Sequence, residues 1–121
     1  MLQGPKRDKM NDCLFCKIIK KEIPSTVVYE DQNVFAFRDI HPQAKKHILV
    51  VPKTHIPATA DIKSNEVYGY IFSAINKIAV QEGMEKGGYR ICINTGPDAG
   101  QTVSHVHFHI LGGERISDKM A

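Results

Sequence analysis

Residues 104–113 read SHVHFHILGG. His105, His107 and His109 occupy every second position, and an apolar residue follows each: Val106, Phe108 and Ile110. Neighbouring residues of a strand point to opposite faces, so this alternation predicts a strand that is apolar on one side and carries imidazoles on the other. Successive rings would stand roughly 7 Å apart at the Cα, a pitch that lets a row meet one ligand of phosphate-ester size or one metal. A helix would scatter the same residues. Uncompensated burial of several imidazoles is costly, so a purely structural row has little to recommend it.

Working outward from this strand, the pattern predicts four more. Residues 26–31 (TVVYED) and 33–39 (NVFAFRD) form a hairpin across the turn formers at 31–33. KHILVVPK, residues 46–53, is nearly all apolar in its middle and so central in a sheet, and YRICIN, residues 89–94, is the fourth. Residues 64–82 are the one long helix: Val67, Ile71, Ala74, Ile75 and Ile78 follow helical spacing, Ser64 suits its start and Gly83 its end. Residues 11–25 predict a short helix with Asn11 or Asp12 as cap, Phe15, Ile18 and Ile19 on one side, and Pro24 as its stop. Closed by Gly112-Gly113, the order α-β-β-β-α-β-β predicts an α+β domain: a five-stranded antiparallel sheet, one long helix on a face, one short N-terminal helix.

A chain of 121 residues can bury one sizeable core, so residues 10–121 are expected to form a single domain. The first nine residues, MLQGPKRDK, are polar, basic and aperiodic and read as a disordered leader or an added segment, with Met10 a plausible start. They carry +2 of the net +3, which leaves no clustered basic face for a nucleic acid polymer. No window is apolar enough for a membrane span, and no signal-peptide pattern is present. Three cysteines, Cys13, Cys16 and Cys92, are too few for a secreted disulfide framework, and a reducing cytoplasm is the expected home.

Other residues fit the same face. Asn94 ends the fourth strand, and Thr102 precedes the histidine strand after Gly96 and Gly100, where backbone amides can approach an anion. Phe35, Phe37 and Asp39 share a face of their strand, an aromatic surface beside a carboxylate that suits a nucleoside. A metal-binding histidine row is the competing reading, but it lacks nearby acidic partners.

HVHFHILGG is similar to the signature of the histidine triad family of nucleotide hydrolases and transferases. FCKIIKKEIP, FAFRDIHPQA, HILVVPKTHI and NTGPDAGQTVSHVHFHILGG resemble its Hint branch, the purine nucleoside phosphoramidases, from about residue 13 to 113. His109 argues against the uridylyltransferase branch, which carries Gln there, and Gly112-Gly113 against the dinucleoside polyphosphate hydrolases, which carry Pro-Arg. The resemblance implies hydrolysis of nucleoside 5′-phosphoramidates, or of acyl-nucleotide mixed anhydrides, with no cofactor needed for the chemistry. His107 would be the nucleophile and form a covalent nucleotidyl-histidine. His109 would bind phosphoryl oxygens, and His105 and His47 would support it. Asn94, Gln101 and the amides near Gly100 and Thr102 would hold the phosphate, and the hydroxyl of Thr102, standing where the branch usually has Ser, would assist the leaving group. Asp39 would take the ribose hydroxyls, and Leu14, Phe15, Ile18, Phe37 and Ile40 would wall a purine. The branch implies a homodimer with a continuous sheet. The tail ERISDKMA, residues 114–121, departs from the aromatic, proline-rich ending of eukaryotic members. A non-catalytic purine-nucleotide-binding or interaction module, and a metal-storage protein, are the alternative classes.

Cys13-Leu14-Phe15-Cys16 is a C-x-x-C with three readings: a redox pair, two free thiols, or half of a zinc site. Bacterial-type relatives of the branch imply the third, with His47 and His105 as the remaining ligands of a structural zinc. His41 and His55 receive no role, and Cys92 reads as filler.

Overall fold

The computed structural model describes residues 12–118, so the expected leader at 1–9 lies outside the described residues. Its elements are α1 (Leu14–Ile19), β1 (Val27–Glu30), β2 (Val34–Arg38), β3 (Lys46–Pro52), α2 (Asn65–Gln81), β4 (Arg90–Ile93) and β5 (Phe108–Gly112). The strands form one sheet in the order β1-β2-β3-β5-β4, every neighbour antiparallel. This is the expected α+β architecture, with the most apolar strand, β3, in the middle.

Alternation decides which face each side chain serves. Val34, Ala36, Ile48, Val50, Val106, Phe108 and Ile110 meet Ile71, Ala74, Ile75 and Ile78 of α2 in one core. Fully burying each of these larger side chains contributes about 1.5–3 kcal/mol. Ser64 caps α2, its hydroxyl accepting from the Glu66 amide at 3.1 Å. Phe35, Phe37, Leu49 and Val51 point to the opposite face, where Cys13, Phe15, Cys16 and Ile18 of the α1 segment cover them. The histidines share this second face, with Phe15 of α1 packed against His105 and His107.

The ends of α1 differ from expectation. Its N-cap is Cys13 and not Asp12, the Cys13 sulfur taking the Cys16 amide at 3.5 Å, while Asn11 lies outside the described residues. The helix also stops well before Pro24. The Lys21 amide bonds the Ile18 carbonyl and the Glu22 amide bonds the Lys17 carbonyl, both at 2.9 Å, which is the paired closure of a helix ended by a left-handed residue. That residue is Lys21, at φ 65°. A side chain there costs about 1 kcal/mol that glycine would not. Lys21→Gly is therefore expected to stabilise the protein by about 1 kcal/mol, read as a higher urea midpoint at unchanged slope.

The histidine strand is shorter than the alternation predicts. The β3–β5 ladder runs from Lys46↔Gly112 to Val50↔Phe108, so Ser104 to His107 precede β5. β3 ends in Pro52, which has no amide to extend the ladder. The Pro52 carbonyl is taken by the His105 ring at 2.9 Å, and the Val106 amide turns instead to the Ile56 carbonyl at 2.7 Å. The facing survives the loss of the ladder: Val106, Phe108 and Ile110 lie in the α2 core and the three imidazoles on the other side.

Candidate active site

Three backbone groups fix the histidine tautomers, because a carbonyl can only accept and an amide can only donate. His107 Nδ1 lies 2.8 Å from the His105 carbonyl, so Nδ1 carries the proton and Nε2 holds a free lone pair. The Gln43 amide donates to His47 Nδ1 at 3.0 Å, which puts the His47 proton on Nε2. That proton faces His109 Nδ1 at 2.9 Å, with Asp39 Oδ2 3.5 Å away. His109 consequently carries its own proton on Nε2. The rings of His107 and His109 stand 5.1 Å apart. A lone pair on one imidazole thus stands beside an N–H donor on the next.

Burial keeps these rings neutral. It pushes His107 below the ordinary histidine value, against the opposing pull of the His105 carbonyl and Asp39. His109 is pushed down to about 4, first by burial and then by the neighbouring His107 and His47. His47 is lowered for the same first reason, with Asp39 opposing. Neutral imidazole is the form that can act as a nucleophile without first losing a proton.

Around this core, Phe15 presents its ring edge-on to His107 at 5.0 Å and to Phe37 at 5.5 Å. Phe15, Ile18 and Phe37 are buried together, whereas Leu14 and Ile40 are exposed, Ile40 by 85%. On the other side of His109, a cavity of ≈ 540 Å³ is bordered by His47, Cys92, Asn94, Arg90 and the tail at Glu114 to Ser117. Asp39 follows β2 and keeps Oδ1 on the His41 amide at 2.8 Å. Thr102 is exposed.

Gly100 and Gln101 build the loop rather than lining it with free donors. The Gly100 amide bonds the Pro97 carbonyl at 3.0 Å, and its φ of 81° closes a short turn. Gln101 is buried and accepts from the Gly96 amide at 2.9 Å while donating to the carbonyls of Pro57 and Val103.

His105 leaves the row. It is fully buried, donates Nε2–H to the Pro52 carbonyl, and turns Nδ1 to Cys13 Sγ at 3.4 Å and Cys16 Sγ at 3.6 Å. The fourth member of this group is His55, whose Nδ1 lies 3.3 Å from Cys16 Sγ. His47, expected here, stands elsewhere for a geometric reason. β3 runs antiparallel to β5, so His47 pairs with Leu111, at the far end of β3 from Pro52. Five residues of strand separate them, about 16 Å.

The HIT domain family matches residues 20–116. The chain belongs to the HIT family. It is 44% identical over 112 residues to the purine nucleoside phosphoramidase of Escherichia coli K12, covering 91% of this chain and 94% of that one. It is 51% identical over 108 residues to a 14 kDa zinc-binding protein of Zea mays, covering 86% and 84%. A histidine triad protein from Clostridium difficile superposes with a TM-score of 0.87 at 46% identity, covering 93% of this chain and 99% of that structure.

The second site of this HIT protein fits a four-coordinate zinc by chemistry and by spacing. Two sulfurs and two imidazole nitrogens are a zinc donor set, and bonds of about 2.0–2.3 Å impose donor separations of about 3.3–3.8 Å. Three of the six separations among these atoms, 3.3, 3.4 and 3.6 Å, lie in that range, and all four atoms lie within 4.8 Å of one another. His55 turns Nδ1 to the sulfurs, and among the described residues its buried Nε2 has no hydrogen-bond partner. Burial, then the neighbouring Cys13, pushes the Cys16 thiol up to about 12, and a divalent cation reverses that preference.

His55 and the Gln43 amide are the contributors that sequence reading missed. The C-x-x-C asked for two further donors, and His55 sits three residues beyond Pro52. Only the register of β3 on β5 shows that this end, and not His47, reaches His105.

Proposed function

We propose that this HIT protein hydrolyses nucleoside 5′-phosphoramidates through a covalent nucleotidyl-His107. The observation that carries it is the His107 tautomer, with Nδ1 committed to the His105 carbonyl and Nε2 left as a lone pair. Nε2 attacks the α-phosphorus, an Nε2–P bond forms and the P–N bond breaks. The nitrogen leaves as the neutral amine, taking a proton from solvent at the exposed Thr102. Water then attacks phosphorus, releasing the nucleoside monophosphate and restoring the imidazole. His109 Nε2–H stabilises the phosphoryl oxygens, where a preorganised donor is worth more than in water. His47 and the Gln43 amide hold His109 in that tautomer. Asn94 and Thr102 contact the phosphate and Asp39 the ribose hydroxyls. Phe15, Ile18 and Phe37 back the base, and exposed Leu14 and Ile40 are apolar surface that a purine would cover. The E. coli relative's name supports the substrate class.

Cys13, Cys16, His55 and His105 hold a structural zinc that ties α1 to the sheet. A relative named for zinc binding supports this reading. The protein acts as a homodimer joined through β4, an edge strand whose Ile91 is exposed, beside an α2 face with exposed Tyr68 and Phe72. Ile91→Lys is expected to convert a dimer to a monomer in sedimentation equilibrium; a wild-type monomer would reject the assembly. Among the described residues no helix is long and apolar enough to cross a membrane. Reduced cysteines suit a cytoplasmic enzyme.

Incubation with adenosine 5′-phosphoramidate tests the activity. AMP should appear catalytically, without added metal. Binding of AMP with no turnover would favour the non-catalytic nucleotide-binding module.

A further inference from the structure

We propose that the cation-loaded Cys13–Cys16–His55–His105 cluster clamps α1 against the nucleophile, with Phe15 as the positioning residue for His107. The proposal rests on the assignments of His107 and of zinc made above. It goes beyond them by making the metal site part of the catalytic geometry.

α1 has six residues, too few to persist on its own helical propensity. Its N-cap is a cysteine sulfur, a weak acceptor. Both cluster cysteines sit at its start, while His55 follows β3 and His105 precedes β5. A cation bound by all four joins three separate chain segments at one point. Without it, α1 is held by Phe15, Ile18 and weak thiol contacts.

Phe15 lies between the two cysteines in sequence. Its ring meets His107 at 5.0 Å, His105 at 6.0 Å and Phe37 at 5.5 Å, each edge-on. His105 gives its side chain to the cluster and its carbonyl to His107 Nδ1. The His107 ring is thus held at Nδ1 by one cluster residue and at its side by a residue bracketed by two others. Releasing the clamp lets Phe15 withdraw and lets the segment 105–107 relax, so Nε2 loses its aim.

The test compares zinc-loaded protein with the same protein after chelation, using readouts that do not depend on turnover. Amide exchange of residues 14–19 should accelerate tenfold or more on zinc removal while α2 is unchanged. AMP affinity should weaken about tenfold, equivalent to about 1.4 kcal/mol. The His107 Nδ1–H resonance should broaden. A protein purified without bound metal, unchanged α1 exchange, or released α1 with unaltered AMP affinity and Nδ1–H would each overturn the proposal. Phe15→Leu covers the case in which chelation unfolds the chain. It should keep full zinc content, lower kcat about tenfold and weaken the Nδ1–H signal; wild-type kcat and resonance, or a change confined to KM, would overturn it. Wild-type, zinc-loaded protein inert toward the phosphoramidate would instead count against the proposed activity, with the exchange results still deciding the clamp.

Discussion

His107→Ala is expected to lower AMP production from adenosine 5′-phosphoramidate by about 10³-fold or more, with the fold intact. Positioned acid–base groups are each worth roughly 10²–10⁴, and removing a covalent nucleophile costs more than that. No neighbour can substitute. His105 is fully buried with Nδ1 on the cysteines, and His109 Nδ1 is engaged by His47 while its Nε2 carries the proton. His107 is 7% exposed and contributes a ring edge to the packing around Phe15, so truncation also opens a small void. That void acts on stability, whereas the missing lone pair acts on kcat. Comparing kcat and KM with a urea midpoint separates them; a variant that keeps wild-type kcat would reject His107 as the nucleophile.

The second large effect is on stability. Cys16→Ser is expected to abolish zinc binding and to lower the melting temperature by roughly 15 °C. Zinc present at a thousandfold its Kd adds about 4 kcal/mol to a native state that alone binds it. A domain of this size shifts by roughly 4 °C per kcal/mol. A hydroxyl is a poor replacement for a thiolate, and the serine would sit 4% exposed beside buried His55 and His105. The α2 core, built without these residues, keeps the chain folded, so far-ultraviolet dichroism should survive at 25 °C. Metal analysis beside the thermal scan decides the cause. A variant that retains one zinc per chain, or a wild type that melts at the same temperature with and without zinc, would remove the cluster as a stabilising site.

The sheet and long helix were legible because burial on one face leaves a period in the sequence. Val67, Ile71, Ala74, Ile75 and Ile78 could be read as one helix face, and Val106, Phe108 and Ile110 as one strand face, before any coordinate. What escaped were features with no period. The end of α1 depends on Lys21 adopting a left-handed conformation, which no residue type at that position announces. The fourth cluster ligand depends on antiparallel register, which sets His47 beside Leu111 and leaves the far end of β3 to His55. The strand shortened because Pro52 ends its partner, a long-range cause of a local change. The His107 tautomer follows from a carbonyl two residues away, visible only once the backbone turns at His105.

Rapid quenching of the enzyme with excess adenosine 5′-phosphoramidate, followed by mass spectrometry of its peptides, addresses the covalent step itself. An AMP adduct should appear on His107, labile to acid as an imidazole–phosphorus bond is, and form and decay fast enough to account for turnover. Product formation with no adduct at any histidine, or an adduct on His105 or His109 in its place, would contradict it.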